Sequence, residues 1–154
     1  MDSAGSECYY LDTSALVKRY VKEPGSEVVD GIYTKAYRGV AVIVASYWNI
    51  TEAVVVFDKY ERRGGPSARH LLESLLRESR TLAGLLRLKL VPISPTLIHE
   101  TTNLVLKHHI YSADALQIAS ARHANCKHLV TADKRLAEAA AAENLEVITA
   151  GGEA

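Results

Sequence analysis

SADALQIASARHANCKHLVTADKRLAEAA, residues 112–140, reads as helix, strand and helix with almost no chain between them. Ser112 is a good N-cap for the first helix, KHLVT is a short apolar run ending in β-branched residues, and helix-forming DKRLAEAA follows at once. A helix that feeds straight into a strand runs antiparallel to it, so it begins beside that strand's carboxyl end. Asp114, in the first turn of the helix, and Asp133, two residues past Thr131, therefore belong to one edge of a sheet.

The same alternation extends over the rest of the chain. Strands are expected near 8–12, 40–45, 89–93, 127–131 and 145–148, with helices near 13–22, 25–37, 47–62, 67–87, 96–108, 113–124 and 133–143. This is the pattern of an α/β fold with a mostly parallel sheet. Pro24-Gly25 and Gly64-Gly65-Pro66 separate consecutive helices. Ile50, Val54 and Phe57 mark the core-facing stripe of the helix after Ser46, and the terminal GGEA is expected to fray.

With 154 residues and 48% hydrophobic composition, the chain fits one domain, 1–154, with its core over about 8–148. Eighteen basic residues balance eighteen acids, so a polyanion partner must be met by a local patch. Cys8 and Cys126 form no CxxC pair, which excludes a zinc knuckle or a thioredoxin motif and leaves two ordinary buried thiols. MDSAGSE lacks the pattern of a signal peptide, so a soluble, cytoplasmic protein is expected. Gly39–Phe57 is long enough to span a bilayer, but Glu52 within it would cost about 3 kcal/mol in lipid. A buried strand followed by a buried helix is the better reading. One Gln, one Met and four Asn lean toward a thermophilic source.

In open parallel sheets ligands gather at the carboxyl ends of strands, where helix N-termini also point their N–H groups. Asp12, in CYYLDTSALVKRY (8–20), ends the first strand and joins Asp114 and Asp133 there. Glu52 lies six residues past Ser46, about 9 Å along its helix, and is isolated among apolar neighbours. Singly, each acid has a local explanation: Asp12 and Asp133 as caps, Asp114 as a first-turn acid, Glu52 as a surface residue. Together, carboxylates facing one another raise each other's pKa unless a cation intervenes, and hard oxygen ligands suit Mg²⁺ or Mn²⁺. Ser14 and Thr131 fit as hydroxyl donors that orient Asp12 and Asp133, with Thr13 or Ser14 left to cap the first helix.

LDTSALVKRY, the helix acid in NITEAV, SADALQIASA and LVTADKRLAEAA resemble, in order, the successive motifs of PIN-domain ribonucleases, notably the VapC toxin group. The resemblance spans about residues 9 to 148. It implies a five-stranded parallel sheet ordered 3-2-1-4-5 and a carboxylate pocket for one or two divalent ions. By motif, Asp12, Glu52, Asp114 and Asp133 carry over as the catalytic and metal-binding acids, with Ser14 and Thr131 as polar support. The implied activity is hydrolysis of RNA phosphodiesters, leaving 5′-phosphate and 3′-hydroxyl ends. The implied partners are an RNA substrate, a second copy in a homodimer, and a small antitoxin. Helices 25–37 and 47–62, with Tyr33, Tyr37, Val54 and Val55, would supply the protein-binding surfaces. The implied sheet order also makes strands 1 and 4 neighbours, which brings Cys8 and Cys126 within disulfide reach at the end away from the acids. Such a bond is expected only in a thermophile's cytosol.

Between Arg62 and Lys89 seven Lys/Arg stand against Glu73 and Glu78. Arg62, Arg63 and Arg69 in that segment, and Lys18 behind Asp12, are candidate RNA phosphate contacts; a solvated helix face, or a snorkelling stem for Lys18, is the alternative. Tyr9, Tyr10, Tyr47, Trp48 and Tyr111 read as core or interface residues. The six histidines, His108-His109 included, show no metal-ligand spacing. A haloacid-dehalogenase-like phosphatase would need a second Asp where Ser14 stands, and no glycine-rich loop follows the first strand to hold a nucleotide. Two other readings keep the fold: an RNA-processing PIN nuclease without an antitoxin, and a catalytically silent module that binds RNA or protein.

Overall fold

Five short apolar runs pair into one sheet: β1 (Glu7–Leu11), β2 (Ala41–Ser46), β3 (Leu88–Val91), β4 (His128–Thr131) and β5 (Glu146–Thr149). The structure is a computed structural model and describes residues 6–151, so the expected fraying at Gly152–Ala154 lies outside the described residues. The strands are all parallel and ordered β3-β2-β1-β4-β5, with Tyr10 of β1 in register with Val44 on one side and Leu129 on the other. Among the described residues seven helices connect and cover them: α1 (Thr13–Val17), α2 (Ser26–Tyr37), α3 (Tyr47–Arg62), α4 (Ala68–Gly84), α5 (Pro95–His108), α6 (Ser112–His123) and α7 (Lys134–Ala142).

Alternation along β1 divides the interior into two layers. Tyr9 and Leu11 face a core shared with Val29, Tyr33, Phe57 and Leu75, under α1 to α4. Tyr10 faces the opposite core of Leu97, Ile118, Leu129 and Leu136, under α5 to α7. Both faces are covered, as a parallel sheet requires.

Four expectations need correction. The first helix stops at Val17 rather than reaching residue 22, because the Ser26 hydroxyl takes the Lys18 carbonyl at 2.9 Å and the N–H groups of Lys18, Arg19 and Tyr20 close tight three-residue turns. Ser112 is the first residue of α6 rather than its cap, since the Tyr111 carbonyl already accepts the Ala115 N–H. The buried side of α3 runs through Asn49, Ala53 and Phe57: Phe57 is buried as expected and half-buried Ile50 packs against the same core, but Asn49 and Ala53 take the inner positions and Val54 does not. Tyr33 belongs to the core instead of a binding surface, with the Arg19 guanidinium 4.5 Å over its ring. Arg19 also forks onto both oxygens of Glu78, which accepts the Tyr20 and Tyr37 hydroxyls, so one carboxylate joins α4, α2 and the turn after α1.

Cys8 and Cys126 are bonded to each other across β1 and the start of β4, Cα to Cα 5.2 Å, so they are not free thiols. The bond lies at the amino ends of the strands. At the carboxyl end, the turn before α2 meets the chain leaving β5: a Cβ on Gly25 (φ 95°) would stand 2.3 Å from the Ala150 carbonyl, and one on Gly151 would collide equally with Pro24. Only glycine permits that backbone contact. Gly39–Phe57 forms β2 and the first part of α3, and among the described residues no helix is long and apolar enough to cross a membrane.

Candidate active site

Asp12 leaves β1 and caps α1 itself: its Oδ1 accepts the Ala15 N–H at 2.9 Å and the Ser14 hydroxyl at 2.7 Å. Its Oδ2 accepts the Thr131 hydroxyl from the end of β4. The expectation that Thr13 or Ser14 would cap the helix is therefore corrected. Capping engages Oδ1 while the carboxyl still borders a cavity of about 360 Å³. Ser14 and Thr131 both serve Asp12 and not the Asp133 carboxylate; they accept the backbone N–H groups of Ala132 and Asp133, each at 2.9 Å. Asp133 caps α7 through the Arg135 and Leu136 N–H groups.

Glu52 from α3, Asp114 from α6 and Asp133 line the same cavity as Asp12, together with Thr13, Lys18, Glu23 and Gln117. Burial pushes the Asp12 carboxyl up to about 6, against the lowering effect of its hydrogen bonds to Thr131, Ser14 and Ala15. Asp114 is also pushed up to about 6, by burial first and then by the charges of Asp133 and Glu52. A divalent cation would compensate both. Among the described residues no three His, Cys, Asp or Glu converge into a ready-made cage. Mg²⁺ needs none, because it keeps several waters and takes one or two carboxylates with the substrate phosphate. The all-oxygen donor set fits such an ion.

Below the acids lies a buried polar network. The Tyr10 hydroxyl lies 2.7 Å from Gln117 Oε1 and 3.1 Å from Asn49 Oδ1, and the Asn49 amide donates to both Gln117 Oε1 and Thr13 Oγ1 at 2.9 Å. Thr13 in turn donates to Glu52 at 2.7 Å. Asn49 also accepts the Ser46 N–H at 2.7 Å as part of the capping box of α3. On the opposite rim Lys18, only 7% exposed, pairs with Glu23 at 3.1 Å, and Glu23 accepts the Tyr60 hydroxyl as well.

The PIN domain profile matches residues 9–142. The chain belongs to the PIN domain family. Its fold is similar to that of VapBC2 from Rickettsia felis bound to a DNA fragment from their promoter, with 20% identity and TM-score 0.62 over 92% of this chain and 98% of that one. It is also similar to PAE2754 from Pyrobaculum aerophilum, with 19% identity and TM-score 0.61 over 93% and 86% of the two chains. A third similar structure is the Sarcin-Ricin loop cleaving toxin VapC20 of Mycobacterium tuberculosis, with 10% identity and TM-score 0.59 over 79% and 86%. No curated protein matches this chain in sequence.

Within this PIN domain the four expected acids border one cavity, and Lys18 borders it with them. Arg62, Arg63 and Arg69 do not line it; all three are exposed, and Arg62 pairs with Asp58 at 2.9 Å one turn back on α3. Sequence reasoning missed Thr13, Glu23, Asn49 and Gln117. Two of them carried a signal: Asn49 stands three residues before Glu52 and Gln117 three after Asp114, the spacing that puts polar side chains on one helix face.

Proposed function

We propose that this PIN domain is a divalent-metal-dependent endoribonuclease and the toxin of a toxin–antitoxin pair. The observation that carries the reading is the approach of Asp12, Glu52, Asp114 and Asp133, from four separate elements, to one cavity at the carboxyl edge of the sheet. Asp12, Glu52 and Asp114 would hold Mg²⁺ or Mn²⁺, and Asp133 would hold a second ion or steer the attacking water. Bound there, the metal supplies a water of lowered pKa and neutralises charge gathering on the phosphoryl oxygens. Thr131 and Ser14 fix both oxygens of Asp12, Thr13 fixes one oxygen of Glu52, and Lys18 borders the cavity as an ion pair with Glu23. The products are 5′-phosphate and 3′-hydroxyl ends.

A protein partner is supported by an apolar groove of about 280 Å³ between Trp48, Ile93, Ile98 and Leu116, which reaches Ala113 beside Asp114. An antitoxin segment seated there would approach the acids, and a second copy would extend the surface as a homodimer in the cytoplasm. An RNA-processing role without an antitoxin uses the same chemistry. Incubation with structured RNAs in Mg²⁺ or Mn²⁺ tests the reading, with EDTA and Asp12→Asn as controls. Cleavage must stop with both; cleavage indifferent to either overturns it. A monomer by light scattering at micromolar concentration counts against the dimer.

A further inference from the structure

A second groove, about 390 Å³, opens on the other side of Asp114, so the two cavities meet at a single side chain. Its walls are the link between α5 and α6 and one face of α7 from Arg135 to Ala142. His109 caps α5 in the left-handed conformation (φ 56°) and turns the chain outward, so that His109 and Tyr111 edge the groove while Arg135 and Glu138 face it from α7. These side chains have little to do in the fold. Tyr111 is 72% exposed, and although it stands at the start of α6 its side chain makes no capping bond. Among the described residues Arg135 forms no salt bridge. His108 is different, since its ring is engaged by Glu143 at 2.7 Å.

We infer that this groove holds the nucleotide next to the scissile phosphate, and this rests on the nuclease reading above. A strand whose phosphodiester lies at the acids must continue past Asp114. An aromatic ring, a guanidinium and an imidazole along that exit are the groups that bind single-stranded RNA: the Tyr111 ring stacks on the base, and Arg135 and His109 face the next phosphate. Glu138, the acid of this wall, accepts an amino or ring N–H of the base and makes the groove unfit for a continuous run of phosphate.

Fluorescence anisotropy with a labelled single-stranded oligoribonucleotide tests this in the Asp12→Asn background, where cleavage does not confuse binding. Adding Tyr111→Ala or Arg135→Ala raises the dissociation constant about tenfold, the amount that one stacking or phosphate contact supplies. Arg135→Ala also flattens the salt dependence by about 0.7 of a log unit per decade. Tyr111→Phe keeps the stacking face and binds as the parent does. In parallel, wild type and the two alanine variants are assayed on RNA and on bis(p-nitrophenyl) phosphate, which is too small to occupy the groove. Both variants raise KM for RNA, and Tyr111→Ala, which changes no charge near the acids, leaves hydrolysis of the small diester unchanged. Unaltered RNA affinity in both alanine variants overturns the groove, while cleavage by wild type still supports the nuclease. Lost affinity in the variants with no cleavage by wild type keeps the groove and overturns the nuclease.

Discussion

The Thr13 hydroxyl stands 2.7 Å from Glu52 Oε1, across 39 residues of sequence, and donates its hydrogen bond to that oxygen. Thr13 must then accept from Asn49, which fixes the direction of the whole buried chain from Tyr10 to Glu52. Thr13→Val keeps the shape and removes both bonds, leaving the Asn49 amide one acceptor short. The expected loss is about 2 kcal/mol of stability, with cleavage reduced more than melting temperature alone accounts for. Thr13→Ser restores both. Thermal melting and single-turnover cleavage of the three proteins read the difference.

Asp12 titrates in the folded protein at about 6, above its usual 3.8, so the fold binds that proton more tightly than the unfolded chain does. Its favourable contribution is present below pH 3.8 and is lost as pH rises through about 6. That difference is worth about 3 kcal/mol, against about 1 kcal/mol for the Thr131 bond that an amide would forfeit. Metal-free Asp12→Asn should therefore melt about 5 °C above wild type at pH 7 and equal to or below it at pH 4. A variant that melts lower at both pH values would leave Asp12 as a cap alone.

Divalent ions act on the same balance from the other side. Millimolar Mg²⁺ or Mn²⁺ raises the wild-type Tm at pH 7 by mass action on the folded state. The rise shrinks toward pH 4, as protons take the place of the cation on Asp12 and Asp114, both of which titrate near 6. Asp12→Asn shows little of it at any pH. Differential scanning fluorimetry over that pH range is sufficient to read all three curves.

The disulfide closes a loop of 118 residues, for which chain entropy predicts about 4 to 5 kcal/mol. Cys8→Ser with Cys126→Ser, or reduction under native conditions, should lower Tm by about 10 °C or more and leave the acids in place. Thiol titration of the denatured, unreduced protein should find no free cysteine.

Glu78 gathers an arginine fork and two tyrosine hydroxyls at 16% side-chain exposure. Burial alone would raise its pKa; Arg19, Tyr37 and Tyr20 overcome that and hold it low. Its stabilisation is therefore present above the ordinary glutamate range and lost on acidification. Glu78→Ala leaves Arg19 with Asp30 as its one remaining carboxylate and takes the acceptor from the Tyr20 hydroxyl, and should cost about 2 kcal/mol. Urea titration at pH 7 and pH 4 should show the difference from wild type narrowing at the lower value.

The sheet was legible because each strand is a short apolar run bounded by helix-forming sequence, and the edge that carries the acids followed from how KHLVT joins its helices. What stayed hidden depends on contacts between distant segments. Nothing local stops α1 at Val17; the Ser26 hydroxyl, eight residues on, does so by taking the Lys18 carbonyl. The capping box draws Asn49 back to Ser46, but its burial, with Val54 nearer the surface, comes from the distant partners Tyr10 and Gln117. Asp12 was posed as either a cap or a pocket acid. A carboxylate has two oxygens, and the structure uses it as both.

The Gly25–Gly151 contact bears on how the protein can be handled. β1 begins and β5 ends this all-parallel sheet, so Ser6 lies on the side of the disulfide, while Gly151 lies at the edge of the acids. Gly151 packs against the Pro24–Gly25 turn, next to Glu23 and its grip on Lys18. An affinity handle or a surface-immobilisation anchor therefore belongs on the amino side. The same handle on the carboxyl side would crowd the mouth of the cavity and turn an engineering choice into an apparent loss of activity.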